Sequence, residues 1–415
     1  MDRKTPRKFA TTSGTRDVLP PESTRLLDVQ GRIRDRFELF GFREVLTPAL
    51  EYSEVIEEHG LRDVSYKLFD QDNQMLLLRP EMTTPIARLI SQRLAGSPPP
   101  HKLSYVLPAY RRASVGRGQS AELYQAGVEV VGSASPREDA STIALLVDVL
   151  QSLGLSTPSD FAVVLGQSAF YSGYLRHVVP DAATAVTGAL AAKDLVAVDD
   201  LAGELPAAAA AGVRGIPRIV GPAADEALLD DAGRFAVGEQ AREALDNLRE
   251  ILRHLEAHGA LGAVILDFGL SGRHEYYTGA VYEAYAAGLG FTVANGGRYD
   301  NLLRRFGKEL PATGFAIYLE RLLSVLPEVG PRPLLVLVGG DVGGIAAAAR
   351  LRKLGVPVLH LSEELPPEAA VEYARSVDAA WISYPATGGV KIATADPAGE
   401  FVFMSPESVA RMVLQ

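Results

Sequence analysis

Nine residues, Ser271 to Gly279, read Ser-Gly-Arg-His-Glu-Tyr-Tyr-Thr-Gly. His274, Glu275, Tyr276 and Tyr277 gather an imidazole, a carboxylate and two phenols, groups that hydrogen-bond a polar ligand. Gly269, Gly272 and Gly279 flank them and let the backbone come close to such a ligand. The other reading is a polar hairpin end carrying two surface tyrosines. Further back, Gln125, Gly127 and Glu129 alternate with Ala126, Val128 and Val130 along Glu122–Gly132. In a strand that spacing puts the two sets on opposite faces. The apolar face meets the core, and the polar face either lines a cavity or meets solvent. Glu81 follows Pro80 where a helix opens, as a site carboxylate or as a helix-start residue favoured by the dipole. Arg111, Arg112 and Arg117 lie in a basic, glycine-containing loop. Arg298 and Tyr299 project from a glycine-paired turn, Asn295–Asp300. Arg321, on a helix after Gly314, aims a guanidinium into a nearby site or pairs with Glu320.

Composition removes several chemistries. There is no cysteine among the 415 residues, which excludes disulfides, thiolate metal sites and cysteine nucleophiles, and fits a reducing, cytoplasmic setting. His254 and His258 have i, i+4 spacing, but His-Leu-Glu-Ala-His is not a zinc-protease motif, and histidines suit the last turn of a helix. Gly339-Gly340-Asp341-Val342-Gly343-Gly344 lacks the lysine and the spacing of a phosphate loop and reads as a tight strand-to-helix turn. No cofactor or metal is called for. The net charge of −10 disfavours a large nucleic-acid surface. No apolar run is long enough to span a membrane. The basic start of the chain has no apolar core and is expected to be a disordered tail over 1–12.

The elements that must position these groups follow from periodicity. Leu26, Val29, Ile33 and Phe37 give a helix from about Glu22 one apolar face, and Gly41 stops it. Arg43–Pro48 reads as a short strand, and Lys67–Asp70 with Met75–Arg79 as a hairpin. A helix runs from Pro80 to about Leu94, a strand from Lys102 to Leu107, and a helix over Ser135–Leu153. Phe161–Leu165 is an apolar strand. Ala182–Ala211, rich in alanine, reads as small helices of an inserted subdomain at about 180–258, which ends in the amphipathic helix Glu239–His258. Leu261–Phe268 and Ala280–Tyr285 read as two strands joined by the kinked nine residues. After a linker at Glu328–Pro333, strands alternating with helices make a small α/β domain over 331–415. It carries seven Lys or Arg against nine Asp or Glu.

Taken together, Gly14–Pro20, Arg79–Thr83, Tyr110–Gly132, Glu275–Thr278, Gly296–Asp300 and Gly314–Leu322 resemble, in order, the blocks of histidyl-tRNA synthetase, a class II synthetase. The resemblance implies an α+β fold, with a class II aminoacyl-tRNA synthetase-like six-stranded antiparallel sheet flanked by helices over 13–328. The α/β domain of 331–415 stands where the synthetase has its anticodon-binding domain. Leu39–Pro48 would be the dimer-interface motif. The histidine pocket carries over to Glu81, Thr83, Gln125, Glu129, Tyr276, Tyr277 and Tyr299, with Arg111 placed to meet the ligand carboxylate. Carboxylates accept from cationic or N–H donors, phenols bond ring nitrogens, and ionic hydrogen bonds are stronger than neutral ones.

The activation machinery departs from the pattern. Where the synthetase has an arginine three residues before its acidic residue, this chain has Gly272, with Arg273 beside it. In the Phe-Arg-x-Glu-Arg block the glutamate is Ala113 and the second arginine Ser114; a later arginine pair is Gln119 and Ala121. Amino-acid activation builds negative charge on phosphate, and losing one preorganised group costs roughly 10²–10³ in rate. A kept histidine pocket with a dismantled ATP site resembles the regulatory subunits of ATP phosphoribosyltransferase. That resemblance implies a non-catalytic subunit in a hetero-oligomer. It would activate a short catalytic subunit and carry allosteric feedback inhibition by histidine in the first step of histidine biosynthesis. An active histidyl-tRNA synthetase is the alternative, and a histidine sensor with another partner a third reading.

Overall fold

Branched apolar residues alternating with small and polar ones make Glu122–Val131 a strand with one face for a core and one for a cavity, and the whole first unit is built on it. The computed structural model describes residues 10–56, 58–112, 120–270, 277–328, 332–396 and 399–414. The chain divides into two compact units, one of 28–327 with the residues up to Asp17, the other of 328–415 with 18–27.

In the first unit the described strands are β1 (Arg43–Glu44), β2 (Leu50–Tyr52), β3 (Lys67–Phe69), β4 (Met75–Leu78), β5 (His101–Tyr110), β6 (Glu122–Val131), β7 (Phe161–Gln167), β8 (Val220–Pro222), β9 (Val264–Asp267), β10 (Ala280–Ala286), β11 (Thr292–Arg298) and β12 (Ala312–Tyr318). Nine of them form one sheet in the order β1-β5-β6-β12-β11-β10-β7-β9-β8. The six from β5 to β7 are antiparallel throughout. The implied six-stranded antiparallel sheet is thus the centre of a larger, mixed one. β1 adds to β5 in parallel at one edge, and β9 adds to β7 in parallel at the other, followed by β8.

Three local expectations change. β9 and β10 are not a hairpin, because β7 lies between them. The Arg43–Pro48 strand shortens to two residues. The glycine-paired turn at Asn295 is the body of β11, which runs in ladder pairing through Arg298. The paired glycines serve the sheet: a Cβ on Gly296 would strike the Tyr282 ring, and one on Gly297 would meet the Tyr277 ring at 2.7 Å. Two aromatic rings, not a bend, occupy the space glycine leaves.

The two sheet faces are covered differently. On the back, Val29, Ile33 and Phe37 of helix Glu22–Leu39 are buried, and Phe37 meets Phe315 edge-on at 6.0 Å. Helix Pro136–Ser152 packs beside it, and helix Glu239–Ala257 packs on that helix. On the front, Met82, Ile86 and Ile90 pack with Leu103, Tyr105, Tyr299 and Leu303. Burying each such aliphatic side chain is worth about 1.5–3 kcal/mol, so Ile86→Asp would break this layer. The alanine-rich stretch forms three nine-residue helices, Ala183–Ala191, Leu195–Gly203 and Ala207–Gly215.

The second unit has a five-stranded sheet. With β13 (Arg332–Val338), β14 (Val358–Leu361), β15 (Ala379–Ala386), β16 (Gly389–Thr394) and β17 (Val402–Met404), its order is β14-β13-β15-β16-β17. Leu335 and Leu337 face one apolar cluster and Val336 and Val338 the other, as alternation in a doubly covered strand requires. The Gly339–Gly344 stretch is the expected strand-to-helix turn, with Asp341 capping helix Val342–Lys353 through the Gly344 N–H at 2.7 Å.

Candidate functional site

The front of the sheet is hollow because small residues meet there across three strands. On β6, Gly127 lies opposite Ala316 of β12, which lies opposite Asn295 of β11. One row along, Glu129 lies opposite Gly314, and Gly314 opposite Gly297. Side chains from the surrounding positions lean into this floor. The Tyr105 ring crosses Gly127, the Glu129 carboxylate lies over Gly314, and Tyr277 covers Gly297, so a methyl group at any of the three glycines would collide. The cavity that remains is lined by Glu81, Thr83, Tyr105, Arg111, Gln125, Glu129, Tyr277, Asn295, Tyr299 and Tyr318.

Seven of the eight residues expected at the histidine pocket therefore share one cavity: Glu81, Thr83, Arg111, Gln125, Glu129, Tyr277 and Tyr299. Tyr276 lies outside the described residues, as do Ala113, Ser114, Gln119, Gly272 and Arg273. Between the two readings of the Gln125–Gly127–Glu129 face, the structure shows the lined cavity.

Glu129 is the electrostatic centre. It is 1% exposed. Thr83 Oγ1 donates to its Oε1 at 2.8 Å, and the Tyr299 hydroxyl donates to its Oε2. Burial pushes its carboxyl from 4.5 up to about 8, against the Tyr299 and Thr83 hydrogen bonds, and nearby Glu81 pushes the same way. At neutral pH this carboxyl is largely protonated, and a cationic N–H donor entering the cavity would ionise it.

Glu81 combines its two readings. Its carboxylate accepts from the backbone N–H of Thr83 at 2.5 Å and of Thr84 at 2.9 Å, which satisfies two orphan donors of helix Thr83–Arg93. That cap also fixes a carboxylate at the cavity wall. Arg111 Nε donates to the Pro80 carbonyl at 2.8 Å, tying the guanidinium to the same corner. Gln125 Oε1 and Asn295 Oδ1 are buried and accept no hydrogen bond. The cavity thus presents the Glu81 carboxylate, the Glu129 carboxyl and two unspent amide carbonyls to a ligand rich in N–H donors, with one guanidinium for an anionic group.

Other site residues were not singled out in the sequence. Tyr105, Asn295 and Tyr318 line the cavity. Tyr105 could have been found from its place opposite Gly127 in the β5–β6 ladder. Arg298 points to the back of the sheet and holds the cavity from behind. It bonds Asp139 through Nε at 3.0 Å, the Ser133 carbonyl at 3.1 Å and Asp300 at 3.2 Å. Arg321, expected to aim into the site, instead lies 4.5 Å from the Tyr318 ring centre and 5.6 Å from that of Phe291, and donates to the Thr292 carbonyl at 2.8 Å. No group of three or more metal-ligating side chains occurs among the described residues, and none of their helices is long and apolar enough to cross a membrane.

A family model described as histidyl-tRNA synthetase matches residues 14–322. Over 414 residues, spanning the whole of both chains, the sequence is 66% identical to the ATP phosphoribosyltransferase regulatory subunit of Rubrobacter xylanophilus. The chain belongs to the ATP phosphoribosyltransferase regulatory subunit family. Its fold is the class II synthetase-like fold of the solved structures it matches. The solved structure of an ATP phosphoribosyltransferase regulatory subunit/histidyl-tRNA synthetase from Bacillus halodurans matches with a TM-score of 0.81 at 27% identity, covering 92% of this chain and 99% of that one. Histidyl-tRNA synthetase from Nostoc sp. matches at TM-score 0.83 and 20% identity, covering 97% and 99%, a likeness of fold.

Proposed function

We propose that this chain is a non-catalytic regulatory subunit of ATP phosphoribosyltransferase, acting in the first step of histidine biosynthesis. It pairs with a short catalytic subunit, activates it, and transmits feedback inhibition by histidine bound at the front-face cavity. One observation carries the ligand. Glu81, Glu129, Gln125 and Asn295 surround a single space with acceptors, and Arg111 lines the same space. Free histidine brings an ammonium, an imidazole and a carboxylate, the groups such a wall can use. Regulation needs histidine to bind one arrangement of the complex better than another, with a typical coupling of roughly 1–3 kcal/mol.

The sequence supports a non-catalytic role. Ala113, Ser114, Ala121 and Gly272 stand where the synthetase pattern has a glutamate and three cationic positions, so charge developing on phosphate has little to meet. A self-dimer through the segment around Pro48 is part of the proposal. Leu39 is 71% and Leu46 76% exposed there, and Arg79 fixes the segment by donating to the Thr47 carbonyl at 2.7 Å and the Pro48 carbonyl at 3.1 Å.

The test is reconstitution. Adding the chain to a short-form catalytic subunit raises ATP phosphoribosyltransferase activity, and histidine then lowers it. No change on mixing refutes the regulatory role. Histidine-dependent ATP–pyrophosphate exchange by the chain alone would instead support the synthetase alternative.

A further inference from the structure

We infer that Asn295 is a recognition residue of the front-face pocket, one whose carbonyl accepts an N–H from the bound amino acid. The inference rests on the reading that this cavity takes an amino acid. Asn295 is 8% exposed and lies in the middle of β11, opposite Ala316. Its Nδ2 donates to the Tyr318 hydroxyl at 3.3 Å, which fixes the plane of the amide. Its Oδ1 is buried and has no hydrogen-bond partner. Ala316 and Gly127 beyond it are too small to fill the space the amide faces.

A buried carbonyl without a partner destabilises a fold, so natural interiors contain few of them. A strand interior tolerates one when a ligand completes the bond, and sites that break local rules are where function is expected. The same condition holds across the cavity. Gln125 is 3% exposed, and its Oε1 is also unpartnered. The two amides come from different strands, β6 and β11, and open on one space with Glu129. A ligand with a single donor would leave at least one of them unsatisfied. The favoured class is therefore a small amino acid with nitrogen donors at two separated points. A site built to hydrogen-bond an N–H rejects analogues lacking it, because its own buried acceptors then stay unpaired.

Asn295→Ala and Asn295→Leu test this, each with two measurements on the full chain: histidine affinity by calorimetry and the melting temperature without ligand. Both variants should bind histidine roughly 5–30-fold more weakly, the loss expected for one buried hydrogen bond. Their melting temperatures should stay within about 2 °C of wild type or rise, since the leucine replaces an unpaired carbonyl. Affinity within about twofold of wild type in both variants overturns the inference. So does an affinity loss accompanied by a fall of several degrees in both, which would make Asn295 a structural amide. If the wild type binds no histidine, the amino-acid reading falls and this inference with it. If the wild type binds and the variants bind equally well, only the role of Asn295 falls.

Discussion

Glu129→Gln should change how stability depends on pH, and the direction follows from the burial of this carboxyl. In the unfolded chain it titrates near 4.5, and in the folded protein at about 8. Between these values the native state holds a proton that the unfolded state has released. Stability therefore falls as pH rises through that window, by up to about 1.4 kcal/mol per pH unit from this group. The full displacement corresponds to a penalty of about 5 kcal/mol above pH 8, an upper figure because relaxation and water entry soften burial. Glutamine has the shape of the protonated acid and cannot ionise. It keeps an acceptor for Thr83 or Tyr299, although one of those two hydroxyls must turn. Near pH 5 wild type and Glu129→Gln should be close in stability. By pH 8 the variant should be more stable by a few kcal/mol. Urea unfolding at pH 5, 6, 7 and 8 and constant ionic strength measures the difference. Parallel curves would refute the reasoning, since they would mean that Glu129 titrates alike in both states.

Three further outcomes follow from the geometry. Gly314→Ala puts a methyl group against the Glu129 carboxylate and the Val128 carbonyl; it should lower stability by about 1–3 kcal/mol and weaken histidine binding, read by thermal melts and calorimetry. Arg298→Met leaves Asp139, fully buried, without its ionic partner; a loss of about 3–5 kcal/mol is expected, partly restored in the double variant Arg298→Met/Asp139→Asn in thermal melts. Leu46→Glu places a charge on the exposed segment proposed as the self-interface; light scattering should show dimer giving way to monomer, and an unchanged mass would place the interface elsewhere.

Much of the site was legible because a strand's period of two sorts residues by face. Gln125, Gly127 and Glu129 were visible as one polar row, and β6 presents them as that row. Asn295 was not, because paired glycines signal a turn in sequence, whereas here the Tyr277 and Tyr282 rings fill the spaces beside Gly297 and Gly296. That filling depends on residues far apart in the chain. The same limit hid the placing of β7 between β9 and β10, since pairing order is not local. Glu81 could be read two ways, and its carboxylate both caps a helix and faces the cavity. In the second unit, β16 buries Gly389, Val390, Ile392 and Ala393, a pattern without the period of two that marks a strand in sequence, and β17 is only three residues long.

Feedback through the front-face cavity requires histidine to sit against Glu129. Calorimetric titration of histidine into wild type and Glu129→Gln at pH 7, repeated in two buffers of different ionisation enthalpy, tests it most directly. The expected result is saturable binding to wild type with proton release as Glu129 ionises, and a roughly 10–100-fold loss in Glu129→Gln, the range for a hydrogen bond to a charged group. No binding to wild type, or equal affinity in the variant, would contradict it.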